Sequence, residues 1–167
     1  FRDRGDPLGP HYERVTASFT ALTWPTMAGL AACSAPVVNI LYGERWLGAA
    51  RPLEWIAMAQ ILMIALPLHV ELPILLKRTR PLLWRFGLDT AVSVILLAIG
   101  AMFSLEAAAA SRVAYGFAWL AIHAPFLQAV VGFRWSALAR IWVQSALATG
   151  VAVLPVWLSY VWVAPAL

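Results

Sequence analysis

Glu71 lies deep in an apolar stretch. Its carboxylate could couple ion binding to movement of the chain, could gate a passage, or could form a structural ion pair. It precedes Lys77 by six residues, which is about 9 Å along a helix, and the residues three and four positions away are uncharged. A charge at that depth in a bilayer is costly unless it is paired, protonated or facing water. We therefore expect Glu71 to find a partner on another helix, and Arg14, Arg85 and Arg140 are the cations within reach.

His123 is the second group that could handle a proton. It stands eleven residues from Arg112 and eleven from Arg134, near the middle of an apolar stretch. The ordinary pKa of histidine lies close to neutrality, so an imidazole at the middle of a membrane could relay protons. The alternative is a neutral imidazole that forms a hydrogen bond with a neighbouring helix.

Two further polar residues have simpler local explanations. Asp89 follows Arg85 by four residues, a spacing that places both side chains on one face of a helix and predicts a local ion pair. His69 lies between Pro67 and Pro73, where helix kinks free backbone carbonyls for its ring to bind.

Apolar segments must position these groups. The 167 residues are 62% hydrophobic and 12% charged, whereas soluble domains carry about 25% charged residues. About 20 apolar residues span a bilayer as a helix. We therefore predict an all-α membrane helical bundle of about five transmembrane helices, with Pro67 and Pro73 interrupting the second. The predicted parts are a cytoplasmic polar segment, 1–14, and a transmembrane region, 15–167, with spans at about 22–41, 53–76, 86–105, 113–133 and 141–165.

The basic residues predict how this bundle is oriented. With five crossings, residues 1–14, 77–85 and 134–140 share one side and hold nine of the twelve Lys and Arg residues, while the other side holds three. Cytoplasmic loops collect positive charge. The N-terminal segment is therefore expected in the cytosol and the turn around Gly43 outside.

A short polar break at Leu41-Tyr42-Gly43-Glu44-Arg45-Trp46 separates the first two spans. Gly43 suits a tight turn, and Pro52 suits the first turn of a new helix. Together with Arg14-Val15 and Trp24-Pro25, this turn resembles the C-terminal half of the oligosaccharide flippase family. These are bacterial polysaccharide exporters of the superfamily that includes the multidrug and toxic-compound extrusion transporters. The sequence departs from the family at Leu76-Lys77-Arg78, where the family has a Gly followed by a basic residue.

The resemblance implies two helical lobes around a central cavity and transport by alternating access. The implied substrate is a polyprenyl pyrophosphate-linked oligosaccharide, moved between the leaflets of a bacterial inner membrane. The implied partners are the lipid bilayer and an N-terminal lobe of the same polypeptide. The chain begins at Phe1 and ends in an apolar run, so we expect it to be a piece of a longer membrane protein.

A flippase for such a lipid needs cations for the pyrophosphate, and the planar guanidinium of arginine suits phosphate oxygens. Arg14, Arg85 and Arg140 each lie at the inner mouth of a predicted span, which makes them substrate-binding candidates. The alternative is that they only anchor the inner side of the helices.

Other functions find less support in the sequence. No cluster of Cys, His and carboxylates has metal-ligand spacing, no nucleophile sits beside a base, and the cations form no continuous stripe for nucleic acid. We therefore expect no catalytic residue, metal, cofactor or nucleic-acid partner. Two alternatives stay open: a cation-coupled multidrug extrusion transporter, and a membrane-embedded polysaccharide polymerase or ligase.

Overall fold

The structure, a computed structural model, describes residues 8–163, and all regular elements in that range are helical. The predicted all-α membrane bundle is confirmed. A 3₁₀ turn at Glu44–Ala49 links the second helix to the third. The seven helices are α1 Leu8–Ala32, α2 Ser34–Tyr42, α3 Ala50–Met63, α4 Glu71–Leu75, α5 Thr79–Ala101, α6 Leu105–Val131 and α7 Trp135–Val163.

The long helices pack side by side in a row. Helix α6 packs against α3 and α5, and α1 packs against α3 and α7, so the order across the row is α5, α6, α3, α1, α7. A Cβ on Gly100 would lie 2.7 Å from the Ala107 carbonyl oxygen, which shows how closely α5 approaches α6 at their connecting turn. The buried apolar core is centred on α6 and includes Tyr115, Trp119 and Leu127.

Among the described residues, fewer helices are long and apolar enough to cross a membrane on their own than the five predicted spans. Within the described residues, three helices are long and apolar enough to cross a membrane, namely 79–101, 105–131 and 135–155. Helices α1 and α2 make a fourth span if they are counted as one, although they bend by 73° at Cys33. The predicted second span is the one that is not found as a single helix.

That second span, 53–76, is broken into α3 and α4. Helix α3 ends at Met63, and residues 64–70 form turns before the five-residue α4. Pro67 has no N–H to continue a helix, and Leu68 adopts a positive φ of 56°, which interrupts helical geometry. The prolines were expected to kink a continuous helix, whereas the structure shows a full break.

The first helix begins before the predicted span, and its bend does not lie at a proline. Helix α1 begins at Leu8, so part of the predicted polar segment 1–14 is helical, and residues 1–7 lie outside the described residues. Pro25 lies inside α1 without ending it. Pro36 is the third residue of α2, within the first turn, where a missing N–H costs little. The bend therefore lies between the two prolines.

The three remaining long helices begin earlier than predicted. Helices α5, α6 and α7 begin at residues 79, 105 and 135 rather than 86, 113 and 141. The predicted spans were bounded by charged residues, whereas the helices include the charged residues near their starts. The prediction for the turn is confirmed, because Gly43 has a φ of 84° and Pro52 lies in the first turn of α3. Residues 164 and 165 of the predicted last span lie outside the described residues.

Contacts between helix ends agree with the predicted grouping of charges. At one end of the row, the Arg134 backbone N–H donates to Glu13 Oε1 at 3.0 Å, which joins the start of α1 to the start of α7. At the other end, the Trp55 indole lies 3.4 Å from Glu106, which joins the start of α3 to the start of α6. Glu13 and Arg134 therefore lie at one end of the row, and the turn around Gly43 lies at the other.

Candidate functional site

A polar cluster lies inside the row, where α5, α6 and the 64–70 break meet. The Tyr115 hydroxyl is 2.9 and 3.0 Å from the two carboxylate oxygens of Asp89, to which it donates. The other side of Asp89 faces His123, with 3.8 Å between Oδ2 and Nε2. Three groups that can hold or donate a proton are therefore in contact across α5 and α6.

His123 is the most enclosed member of this cluster. Its side chain is 1% exposed, and neither ring nitrogen has a hydrogen-bond partner among the described residues. Its ring lies 5.2 Å from that of Trp119 and 5.5 Å from that of His69. The Phe86 ring lies 6.0 Å away on α5. The imidazole therefore faces aromatic rings on most sides and a carboxylate on one.

His69 connects this cluster to a pocket. Its ring contacts His123 and also packs edge-on against Trp119, with 4.8 Å between centroids. With Glu71 and Val15, it lines a pocket of about 370 Å³. The break at 64–70 makes this arrangement possible, because irregular backbone turns His69 between α6 and the pocket. Ionisable groups thus extend from the pocket wall to Asp89 in the interior.

Neither of the two arginines near the cluster pairs with Asp89 in the structure. Arg85 was predicted to pair with Asp89, but its guanidinium donates to the Pro81 carbonyl at 3.1 Å and lies 4.2 Å above the Phe126 ring. That prediction is wrong, because the Tyr115 hydroxyl takes both oxygens of the carboxylate. Arg112 donates to Ser93 Oγ at 2.7 Å and lies 4.2 Å above the Tyr115 ring, which places a positive charge beside the Asp89–Tyr115 pair.

Glu71 also differs from its prediction. No ion pair joins it to Arg14, Arg85 or Arg140 in the described part of the chain. Instead it is exposed on the pocket wall, close enough to His69 to interact with it electrostatically. The break places Glu71 at the start of α4 and outside a packed helix interface, so it needs no cation from a neighbouring helix.

The three predicted phosphate-binding arginines have separate surroundings. Arg14 is exposed and lines a shallow pocket with Ser18 and Phe19 on α1. Arg140 is exposed on α7, while Arg85 covers Phe126. None of these described contacts joins the three into one phosphate site. Among the described residues, no three Cys, His, Asp or Glu side chains are grouped so that they could hold a metal ion.

Comparison with known proteins points to one family. Residues 1–51 match the family model described as polysaccharide biosynthesis protein. The match includes Trp24-Pro25 and the turn around Gly43, which are the motifs that carry the sequence resemblance. It shows that this part of the chain is similar to polysaccharide biosynthesis proteins, without assigning the chain to one half of a longer protein. No curated protein and no solved structure matches the chain.

The sequence did not reveal the contacts of the polar cluster. Asp89 and Tyr115 are 26 residues apart on different helices, and no local spacing indicates that they meet. A signal did exist for His69, because two nearby prolines favour irregular backbone that can face a cavity. His123 was identified as a candidate, but its neighbours depend on how α5 and the break pack against α6.

Proposed function

We propose that this chain is part of a membrane transporter that moves a polyprenyl pyrophosphate-linked oligosaccharide from the inner to the outer leaflet of a bacterial inner membrane. The observation that carries the proposal is the match of residues 1–51 to polysaccharide biosynthesis proteins, in a chain whose described part has three to four apolar spans. The fragment would act with further helices of the same polypeptide.

The broken second span supports a transport role. Irregular backbone at membrane depth is tolerated where it is covered by protein or lines a cavity, and transporters use such breaks at their binding sites. Most residues of the break line the pocket together with Glu71, namely Ile64, Leu66, Pro67, Leu68 and His69. In this proposal the break is the part of the chain that rearranges when the cavity changes sides.

The polar cluster is the proposed coupling site. Ionisable residues within membrane helices are expensive and mark ion or proton pathways. Asp89 and His123 lie 3.8 Å apart, so a small approach of the two side chains would let a proton pass between them. His69 leads from them toward Glu71 on the pocket wall. Gain or loss of a proton would change the charge held between α5 and α6. A transporter of this kind makes and breaks no covalent bond, so no catalytic residue is assigned.

A second candidate, a cation-coupled extruder of small organic molecules, is favoured by the same cluster. A protonatable site buried in a helix bundle is what coupling to a proton gradient needs, whatever the cargo. The two candidates differ in substrate, and the family match favours the polysaccharide precursor.

Reconstitution separates these candidates. The full-length protein in proteoliposomes is supplied with fluorescent undecaprenyl pyrophosphate-linked oligosaccharide, and arrival in the opposite leaflet is measured by quenching with a membrane-impermeant reagent. The proposal predicts protein-dependent translocation of the lipid-linked sugar. Efflux of small organic cations without movement of the lipid-linked sugar would favour the extruder instead.

A further inference from the structure

A column of buried polar side chains runs along one face of α1. Tyr12, Thr16, Thr20 and Trp24 recur every fourth residue and are 3%, 0%, 0% and 8% exposed. Residues four apart lie on the same face of a helix, so the column extends for about 18 Å. Threonines are small enough for the interfaces between membrane helices, but Tyr12 and Trp24 are large and carry polar groups into this one.

The column meets α7 at Thr20, and α7 carries a further polar side chain, Thr149, one turn beyond that contact. Thr20 Oγ1 and Ser145 Oγ share a hydrogen bond of 2.8 Å. Helices α1 and α7 run in the same direction, because Glu13 pairs with Arg134 and Thr20 pairs with Ser145. Trp24 and Thr149 each lie four residues beyond that second pair, so they are brought to one level.

We call Tyr12, Thr16, Thr20, Trp24, Ser145 and Thr149 the α1–α7 seam. Most of their polar side-chain atoms lack a hydrogen-bond partner among the described residues. The Trp24 indole nitrogen and the Thr149 hydroxyl are enclosed and have no hydrogen-bond partner among the described residues. The Tyr12 and Thr16 hydroxyls are near enough to interact, but neither makes a hydrogen bond of defined geometry. Each enclosed polar group without a partner costs about 1–3 kcal/mol. The seam is therefore less stable when closed than an apolar contact of the same shape.

We propose that the α1–α7 seam parts during the transport cycle and that its side chains then bind the neutral, hydroxyl-rich part of the substrate. This inference rests on the proposed function. Hydroxyl groups can donate to or accept from sugar hydroxyls, and the Trp24 indole can donate to them. The aromatic face of Trp24 can also pack against a sugar ring. None of these six side chains is a carboxylate or a cation, and the Glu13–Arg134 pair at the end of the seam holds its opposite charges together at 3.4 Å. Both facts disfavour the pyrophosphate as the ligand of the seam.

Cysteine accessibility tests the inference on the full-length protein. Thr149→Cys is made in a Cys33→Ser background and treated, in proteoliposomes, with a water-soluble methanethiosulfonate reagent. We expect labelling, and we expect undecaprenyl pyrophosphate-linked oligosaccharide to slow it about threefold to tenfold, as for the contribution of a single hydrogen bond. Undecaprenyl pyrophosphate without sugar should not slow it. Ala118→Cys, half-buried on α6 as Thr149 is on α7, is the control that should stay unlabelled.

Each outcome decides something. An unlabelled Thr149→Cys would show that the seam stays closed and would overturn the inference. Labelling that the sugar lipid does not slow would show entry of water alone and would also overturn it. If either result is obtained but the wild-type protein translocates the lipid-linked oligosaccharide, the proposed function still stands. If the wild type does not translocate it, the proposed function itself fails.

A shape-preserving substitution gives a second readout. Thr149→Val removes an unpartnered hydroxyl, so we expect unchanged or higher thermal stability together with about threefold to tenfold slower translocation. Thr26→Val is the matched control, because the Thr26 hydroxyl is exposed and donates to the Leu22 carbonyl of its own helix at 2.8 Å. A Thr149→Val protein that transports like the Thr26→Val control would contradict a ligand role for the seam.

Discussion

At the scale of single residues, the Asp89 carboxylate has two different kinds of neighbour. Tyr115 donates a hydrogen bond to it, while His123 approaches at 3.8 Å without a hydrogen bond. A partly buried carboxylate with only one donor among the described residues depends on that donor. The tyrosine therefore keeps the carboxylate in place, and the histidine offers a site for exchange of a proton.

Removal of the Tyr115 hydroxyl should destabilise the protein. Tyr115→Phe leaves Asp89 without its donor, and we expect the free energy of unfolding to fall by about 1–3 kcal/mol. The measurement is denaturation of the purified protein in detergent. Tyr42→Phe is the control, because Tyr42 is 67% exposed and should change stability by less than about 0.5 kcal/mol. Equal stability of the two variants would show that the Tyr115–Asp89 bond contributes nothing.

Neutral replacements of the carboxylates test coupling. Asp89→Asn keeps an acceptor for Tyr115 but holds no charge. Glu71→Gln removes the negative charge at the pocket wall and keeps the size of the side chain. We expect both to impair polysaccharide export in a complementation assay while the protein still reaches the membrane. Glu106→Gln, at the exposed start of α6, serves as the control. Full complementation by Asp89→Asn would remove the cluster from the mechanism, and full complementation by Glu71→Gln would remove that residue alone.

At the scale of the helices, the sequence predicted where apolar segments lie better than where helices begin, break and bend. Hydropathy located α5, α6 and α7 to within six to eight residues at their starts. It could not show that 53–76 is broken, because a proline permits either a kinked helix or a full break. The choice between a kinked helix and a full break depends on how the segment packs against the other helices. The Asp89–Tyr115–His123 contacts likewise depend on how α5 rotates against α6, which no single-helix pattern fixes.

The close approach of α5 and α6 can be tested at a glycine. Gly100→Ala would place a Cβ 2.7 Å from the Ala107 carbonyl oxygen and 2.8 Å from the Ala108 Cα. Backbone must move, so we expect a loss of about 1–3 kcal/mol in unfolding free energy. Gly87→Ala is on the same helix with open space around it and should be neutral or stabilising. A Gly100→Ala protein as stable as Gly87→Ala would mean that the two helices are not so close.

At the scale of the whole molecule, the row of helices has two chemically different ends. The starts of α1, α5 and α7 bring most of the basic residues to one end, and the turn around Gly43 lies at the other. Cytoplasmic loops hold the excess of Lys and Arg in membrane proteins. The orientation with the basic end in the cytosol stays a prediction, and the transport proposal depends on it.

Labelling at the two ends tests this account most directly. Arg45→Cys and Thr79→Cys, each in a Cys33→Ser background, are made in the full-length protein and exposed in intact cells to a membrane-impermeant maleimide. The account predicts that position 45 reacts from outside and that position 79 reacts only after the membrane is opened. Reaction of both positions from the same face would contradict the threading of this chain through the bilayer.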